Sequence, residues 1–473
     1  MQTQPSQSPI DLIAALAISF VLLVTSATRG IFIAYPLLVA LSLFICVLLK
    51  RGFALKAVLQ MGLKGASQSL PVVQVLLLIG IITAIWMAAG TVPALVYYGT
   101  GLISGQFFLL WAFLLTSAVS ILLGTSFGAV GTIGIALMVI ARGSQAPVEP
   151  VAGAIIAGAF LGDRCSPMSS SAHLVASITQ TNLYVNLQNM VRSSLWPFAI
   201  SIAFYTALSL AYPVQLTATP ITATLPELFN LGPVVLAPAG AVLLLAILRV
   251  EVKLAMLVSI GMGIAIAHTL QACPLITLCK FALFGYQLEQ SSPLESILLG
   301  GGLLPMAKAT VVVLISTAFA GIFSGSHTLS FLNGWLSRLR NRQQLAQATT
   351  FVSLLTSLFG CTQTIAIVLT GQIMQPYYQR LSAPAAHHTQ KQQAQNNTQN
   401  NEQLALTIED TAVVIAPLVP WNIASLIPAT LLMVGAGFIP YALYLLLLPV
   451  FTFFRPSDRP ITMNAQRKNP ATL

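Results

Sequence analysis

Long apolar segments alternate with short polar ones along almost the whole chain, from Leu12 to about residue 450. Each apolar run has about 18 to 22 residues, enough for an α-helix to cross a hydrocarbon core of roughly 30 Å. This pattern predicts an all-α integral membrane protein with about 10–12 transmembrane helices.

The composition agrees with a membrane protein and explains the net charge. Hydrophobic residues make up 56% of the chain and charged residues only 7%, against roughly 25% charged in soluble domains. The net charge of +10 need not indicate nucleic-acid binding, because Lys and Arg lie in short segments such as 50–64, 249–253 and 338–342. By the positive-inside rule, we expect both termini in the cytoplasm.

Two parts of the chain are similar to each other. Segments 69–90 and 303–325 both place Leu-Pro near their start and run into small residues. A glycine-rich stretch follows at a similar distance in each, around Gly124 and Gly360. The chain is therefore predicted to contain two repeats of inverted topology, with re-entrant hairpins and broken helices.

The repeats define one transport domain over residues 10–455. Its halves are predicted at about 60–215 and 290–450, with polar tails at 1–9 and 456–473. The second half contains a Gln- and Asn-rich insertion at 379–403. Because that insertion has no periodic apolar residues, we expect a flexible loop there.

Three of the eleven acidic residues border apolar segments, at Asp163, Glu409 and Asp410. A charged group at the centre of a bilayer costs about 2.5–3.5 kcal/mol on insertion scales, and such groups usually serve function. Arg164 and Lys308 are the candidate charge partners. An alternative is that Asp163 and Arg164 form a structural ion pair or an anchor at the membrane interface.

Helix-breaking residues and oxygen ligands surround these acids. Pro167, Pro417 and Pro420 each remove a backbone donor and interrupt a helix. The candidate cation ligands all have a neutral or anionic side-chain oxygen. They are Asp163, Ser166, Ser169, Ser170, Gln363, Thr364, Glu409, Asp410 and Asn422. Duplicated halves with interrupted helices are typical of secondary transporters, which bind substrate where the interruptions meet. The pattern leaves open whether Glu409 or Asp410 faces the site.

Two other interpretations concern residues near Asp163. Ser169 and His173 are four positions apart, which is compatible with a membrane-embedded serine hydrolase in which Asp163 orients the histidine. The glycines of 124–134 suit either a re-entrant hairpin or close helix packing. No Gly-x-x-x-x-Gly-Lys-Ser/Thr motif occurs in the chain, so we expect transport driven by gradients, without a cofactor or a resident metal.

Several blocks resemble the NhaC family of sodium/proton antiporters, in the same order. They read "GTVPALVYYG" (90–99), "GTSFGAVGTIGIALM" (124–138), "AGAIIAGAFLGDRCSPMS" (152–169), "QTIAIVLTGQIM" (363–374) and "IEDTAVVIAPLVPWN" (408–422). The resemblance covers roughly residues 60–450. It implies inverted repeats, no enzymatic activity and exchange of Na⁺ or Li⁺ for H⁺ by alternating access. We expect the chain to act in a lipid bilayer, the bacterial inner membrane, either alone or as a homodimer.

The chain departs from that family at the proposed site. The family pattern has an Asp where this chain has Ser170, and often an acid where it has Thr362. Fewer carboxylates weaken the case for Na⁺, so the alternative is an exchanger of small organic anions of the malate or lactate type. Arg164 and Lys308 would then bind the substrate carboxylates.

Overall fold

The computed structural model describes residues 10–102, 105–144, 146–213, 225–248, 250–287, 301–326, 328–339, 341–380 and 390–455. Helices account for nearly all regular structure in these ranges, as predicted for the all-α class. The helices of the first half are α1 (Ile10–Thr28), α2 (Ala34–Lys50), α3 (Leu55–Gln68), α4 (Leu70–Ala88), α5 (Thr91–Leu102), α6 (Phe108–Leu123), α7 (Ser126–Ala129), α8 (Ile135–Gly143), α9 (Val148–Cys165), α10 (Ser170–Thr179) and α11 (Leu183–Ala211).

The second half follows a connecting region. Its helices, with those of the connection, are α12 (Ala237–Ile247), α13 (Val252–Thr269), α14 (Leu275–Phe284), α15 (Leu303–Gly325), α16 (Asn333–Leu336), α17 (Arg342–Gly360), α18 (Gln363–Arg380), α19 (Gln390–Asp410), α20 (Ala412–Ile415), α21 (Ile423–Leu431) and α22 (Leu443–Phe453). The tails predicted at 1–9 and 456–473 lie outside the described residues.

Five helical segments of the described chain are long and apolar enough to cross a membrane. They are Ile10–Thr28, Leu70–Ala88, Gly105–Leu123, Leu183–Ala211 and Leu303–Gly325. A sixth span results if the pair Asn396–Leu418 and Ile423–Leu431, bent by 51°, is counted as one. Six further apolar helices have only 10–17 residues, so a total of about 10–12 spans is reached only by including them.

The two similar segments of the sequence pack against each other. In the middle of α4, the Gly80 carbonyl accepts a hydrogen bond from the Gly302 amide at 2.6 Å. Near its start, the Thr317 hydroxyl of α15 donates to the Ser69 hydroxyl at 3.1 Å. The pairing therefore runs antiparallel. Glycines permit the approach of the preceding helix α3, since a Cβ on Gly65 would lie 2.2 Å from the Thr317 carbonyl oxygen.

Two helical hairpins enter the molecule from opposite ends of α11. The first comprises α6, α7 and α8, and its outer end lies near the end of α11, where the Leu110 amide donates to Ser209 at 3.2 Å. The second comprises α17 and α18, and its outer end reaches Ile178, just before α11 begins, through Gln375 at 3.5 Å. This is the arrangement expected of inverted repeats, whose symmetry stays a prediction.

The prediction of a loop over 379–403 is wrong in part. Helix α18 continues to Arg380 and α19 begins at Gln390, so residues 390–403 are helical, and 381–389 lie outside the described residues. Gln is a good helix former, and the polar side chains find partners at the end of the hairpin. The Asn400 amide, for example, donates to the Tyr378 carbonyl at 3.0 Å.

Candidate functional site

The chain leaves its helical path between α9 and α10, one turn after Asp163. Ser166 is extended (φ −90°, ψ 136°), because a residue before proline avoids the helical region. Pro167 thus ends α9 as predicted. Ser169 then begins α10 by accepting a hydrogen bond from the Ala172 amide at 3.3 Å. The Ser166 hydroxyl stabilises the break by donating to the Ile121 carbonyl of α6 at 2.7 Å.

Asp163 is buried beside this break and meets side chains from both halves of the chain. Its carboxylate accepts hydrogen bonds from the Ser169 hydroxyl and the Gln363 amide, each at 3.4 Å. Its backbone carbonyl accepts from the Ser171 hydroxyl at 3.3 Å. The two carboxylate contacts are long for such donors. The carboxylate therefore keeps acceptor capacity for another ligand.

The first hairpin brings a second break to Asp163. Gly124 has a φ of +65°, and a Cβ there would lie 2.5 Å from the Met168 Cβ. Thr125 begins α7 by accepting from the Gly128 amide at 3.4 Å, and Ser126 lies against the Asp163 carboxylate. The glycine-rich segment 124–134 therefore begins with a break between two helices. Ser126 was not among the predicted ligands, although its motif was recognised.

The second hairpin repeats this local structure. Cys361 has a φ of +51°, and the Thr362 hydroxyl accepts from the Ile365 amide at 3.0 Å at the start of α18. Gln363 follows and contacts Asp163. Residues 124–126 and 361–363 thus have the same local structure. In each, the first residue has a left-handed backbone, the second is a threonine that caps a helix, and the third has a polar side chain in contact with Asp163. Thr362, where the family often has an acid, serves here as a helix cap.

Gln363 also connects Asp163 to the broken helix of the second half. Its amide donates to the Val413 carbonyl of α20 at 3.1 Å. The chain departs from helical geometry just before, at Thr411 (φ −128°, ψ −75°), and again at 419–422, after Pro417 and around Pro420. All three predicted helix-breaking prolines therefore lie at interruptions.

Glu409 is the second carboxyl group in this region, and it is fully buried. Neither of its side-chain oxygens has a hydrogen-bond partner among the described residues. It lies close enough to Asp163 for the two charges to interact. A buried polar group without a partner is costly, so these oxygens are available to a bound ion or a proton.

Asp410 has a different environment, because it forms a buried ion pair with Arg164. Its carboxylate also accepts from the Ser193 and Thr452 hydroxyls at 3.0 and 3.1 Å. Arg164 also donates hydrogen bonds to the hydroxyls of Ser193, Ser194 and Tyr444 and to the carbonyls of Met190 and Glu409. The pair joins α9, α11, α19 and α22.

The predicted charge partners therefore need correction. Arg164 pairs with Asp410 rather than with Asp163, since its long side chain reaches α19 while Asp163 faces the breaks. Lys308 is exposed on α15 and forms no ion pair with any carboxylate that the structure describes.

The other predicted ligands divide into three groups. Ser166 and Asn422 stabilise the helix breaks. Both polar atoms of the Asn422 side chain are engaged, because Oδ1 accepts from the Ala424 amide at 3.0 Å and Nδ2 donates to the Ser357 carbonyl at 2.8 Å. Ser170 and Thr364 are exposed in the first turns of α10 and α18. Ser169 and Gln363 are the predicted ligands that contact Asp163 directly.

The structure does not support the hydrolase interpretation. The His173 ring nitrogen Nδ1 lies 2.7 Å from the Ser169 backbone carbonyl, whereas the Ser169 hydroxyl contacts Asp163 and Ser171. The helical spacing of four brings the ring over the backbone of the preceding turn, so the histidine does not serve as a base for the serine.

The family model described as "Na+/H+ antiporter family" matches residues 158–454. The chain is 29% identical over 372 residues to a malate-2H⁺/Na⁺-lactate antiporter of Bacillus subtilis, covering 76% of this chain and 79% of that protein. It is 28% identical over 387 residues to the Na⁺/H⁺ antiporter NhaC of Alkalihalophilus pseudofirmus, covering 80% of each. Over 430 residues it is 25% identical to NhaC of Bacillus subtilis, covering 88% of this chain and 90% of that protein.

Proposed function

Because the chain belongs to the Na⁺/H⁺ antiporter family, we propose that it is a secondary antiporter in which Na⁺ or Li⁺ competes with H⁺ for Asp163 and Glu409. The observation that carries this proposal is the convergence of both halves on Asp163. Its relatives include two proteins named Na⁺/H⁺ antiporter NhaC. As an antiporter, the protein moves solutes without transforming them.

A carboxylate that binds either a cation or a proton couples the two fluxes. When Asp163 is ionised, it binds a cation together with the neutral oxygens of Ser126, Ser169 and Gln363, which are the ligand type that hard cations prefer. When Asp163 is protonated, its charge is lost and the cation leaves. The carboxylate must therefore release a proton before it binds a cation on one side of the membrane. On the other side it is protonated as the cation leaves, and the protonated site then returns.

Glu409 rather than Asp410 is the second transport carboxyl in this proposal. Arg164 already neutralises Asp410, whereas an ionised Glu409 would be buried without a hydrogen-bond partner. Such a charge costs several kcal/mol unless a counter-ion or a proton compensates it. Glu409 is thus protonated in the empty site and ionised beside a bound cation.

Contacts between the chain ends and basic segments support the proposed orientation. Asp11 forms an ion pair with Arg51, which lies next to the basic segment 50–64. Near the other terminus, the Gln347 amide donates to the Phe453 carbonyl at 3.4 Å, and α17 starts nearby at Arg342. The positive-inside rule places both segments in the cytoplasm. Both termini would then be cytoplasmic in a bacterial inner membrane.

Exchange of a small organic anion is the second candidate, favoured by the malate-2H⁺/Na⁺-lactate relative. It needs a cationic partner for the substrate carboxylate. Arg164 is fully buried and its donors are engaged, and Lys308 is exposed on another helix. The contacts therefore favour a cation as the substrate at Asp163.

The decisive experiment measures proton movement in everted membrane vesicles from a bacterial strain without its own antiporters. A pH-sensitive dye reports the response to Na⁺, Li⁺ and K⁺, and then to malate and lactate added separately. We expect Na⁺ or Li⁺ alone to move protons. A response that requires malate or lactate would instead establish organic-anion exchange.

A further inference from the structure

Helix α10 has a polar face that is exposed although the helix starts next to the buried Asp163. Ser170, His173 and Ser177, spaced three and four positions apart, are exposed, whereas residues such as Val175 on the other face are buried. This spacing places the three side chains on one face of the helix. Hydrocarbon is an unfavourable environment for polar side chains, so the face is better suited to water.

Helix α18 packs beside α10 and has exposed polar residues next to the contact. A Cβ on Gly371 would lie 2.6 Å from the Ile178 side chain. Thr364 and Gln372 are exposed on α18. Both helices leave their breaks in the same direction, towards the contact between Gln375 and Ile178.

The geometry of parallel helices places these residues on one side of the contact. Successive residues turn by about 100° around a helix. Ser177 directly precedes the contact residue on α10, and Gln372 directly follows the contact residue on α18. In two parallel helices that face each other, the residue before the contact on one helix and the residue after the contact on the other point to the same side of the pair. Ser170, His173, Ser177, Thr364 and Gln372 therefore line one groove, the α10–α18 groove.

The inner end of the α10–α18 groove is the Asp163 site. Ser170 and Thr364 directly follow Ser169 and Gln363, the two residues that donate to the Asp163 carboxylate. Helix α10 has 10 residues, so it extends about 15 Å from this end, which is half of a hydrocarbon core of roughly 30 Å. The outer end lies towards Arg380, the last residue of α18.

The counterpart of α10 in the second half is closed. Helix α21 follows the 419–422 break, and all of its residues are buried or half-buried. Arg142 of α8 donates to the Leu432 and Met433 carbonyls at 2.7 and 3.0 Å and so fixes its end. In the described part of the chain, access to the site is therefore asymmetric.

We propose that the α10–α18 groove is the water-filled path by which ions approach Asp163 from the side of Arg380, and that in this structure the path is open as far as Ser170 and Thr364, next to the buried carboxylate. The path gives the site assigned under the proposed function its route to the cytoplasm. His173 lies on the wall of the path.

Cysteine labelling tests the path independently of transport. Ser177→Cys and Gln372→Cys place thiols along the groove, and Leu195→Cys places one on α11 at an apolar position that is 61% exposed. A charged, membrane-impermeant methanethiosulfonate is applied to everted and to right-side-out vesicles, and peptide mass spectrometry identifies the modified cysteine, so the five native cysteines remain in place. Each unit by which hydrocarbon raises the pKa of a thiol lowers its reactive fraction about tenfold.

We expect both groove cysteines to react about tenfold or more faster than Leu195→Cys in everted vesicles, and more slowly in right-side-out vesicles. Rates equal to that of Leu195→Cys would show that the face meets lipid and would overturn the proposal. Faster reaction in right-side-out vesicles would place the opening on the wrong side and would overturn it as well. Because the readout is chemical modification, it remains valid if the transported solute differs from Na⁺, and loss of the proposed function leaves this result unchanged.

Discussion

Arg164 and Asp410 neutralise each other in the interior, although 246 positions of sequence separate them. The residue before each of them, Asp163 and Glu409, forms no ion pair in the described chain. Within each of the two adjacent pairs, 163–164 and 409–410, the two residues thus have different contacts. One residue of each pair joins helices through the ion pair, and we propose that the other exchanges a cation for a proton.

Replacing one member of the buried ion pair should destabilise the protein. Arg164→Met leaves the Asp410 charge without its partner, which costs about 3–5 kcal/mol. The double variant Arg164→Met/Asp410→Leu leaves no unpaired charge and should recover much of this loss. Thermal unfolding of the purified protein in detergent measures both effects. A double variant no more stable than the single variant would show that the other hydrogen bonds of Arg164 dominate.

Asp163→Asn should abolish Na⁺-dependent proton movement while leaving the protein folded. The amide is nearly the same size but cannot exchange a proton, so one occupant of the site is lost. The dye assay in everted vesicles measures the effect. Glu149→Gln is the matched control, because Glu149 is an exposed acid on the same helix. Wild-type exchange by a correctly inserted Asp163→Asn protein would refute the assignment.

Glu409→Gln should impair exchange without destabilising the protein. No hydrogen bond of the carboxylate is lost, so the free energy of unfolding should change by less than about 1 kcal/mol. Asp410→Asn, by contrast, should lower stability, because it leaves the Arg164 charge unpaired. Unfolding and dye measurements on both variants distinguish the two acids. If Asp410→Asn remained stable and lost exchange while Glu409→Gln transported normally, the roles would be reversed.

Gly124→Ala should disrupt the first hairpin. A Cβ would lie 2.5 Å from the Met168 Cβ and 2.6 Å from its backbone carbon, and the left-handed φ alone costs about 1–2 kcal/mol for a residue with a side chain. We expect low yield of folded protein by size-exclusion chromatography. Gly435→Ala is the control, since Gly435 has a φ of −85° and nothing within 4 Å of its Cβ position. Equal yields for the two variants would contradict the close approach.

The predictions from sequence succeeded where the relevant physics is local. The apolar runs indicated membrane helices, and Pro167, Pro417 and Pro420 indicated interruptions, because a proline ends a helix wherever it lacks compensation. Ser169 and Gln363, two of the predicted ligands, contact the Asp163 carboxylate. The Gln- and Asn-rich segment was misjudged, because the absence of an apolar period conceals a helix whose polar side chains bind neighbouring backbone.

The sequence by itself determined the class of the protein and the positions of its broken helices, since both depend on residues within one or two turns. Only the tertiary structure decided which charges pair and which remain free. Arg164 follows Asp163 directly yet pairs with Asp410, and Gln363 reaches Asp163 across 200 positions. Helical periodicity specifies which side chains share a face, but the partner of that face depends on how distant helices pack. This packing pairs Asp410 with Arg164 and leaves the Glu409 carboxylate without a hydrogen-bond partner among the described residues.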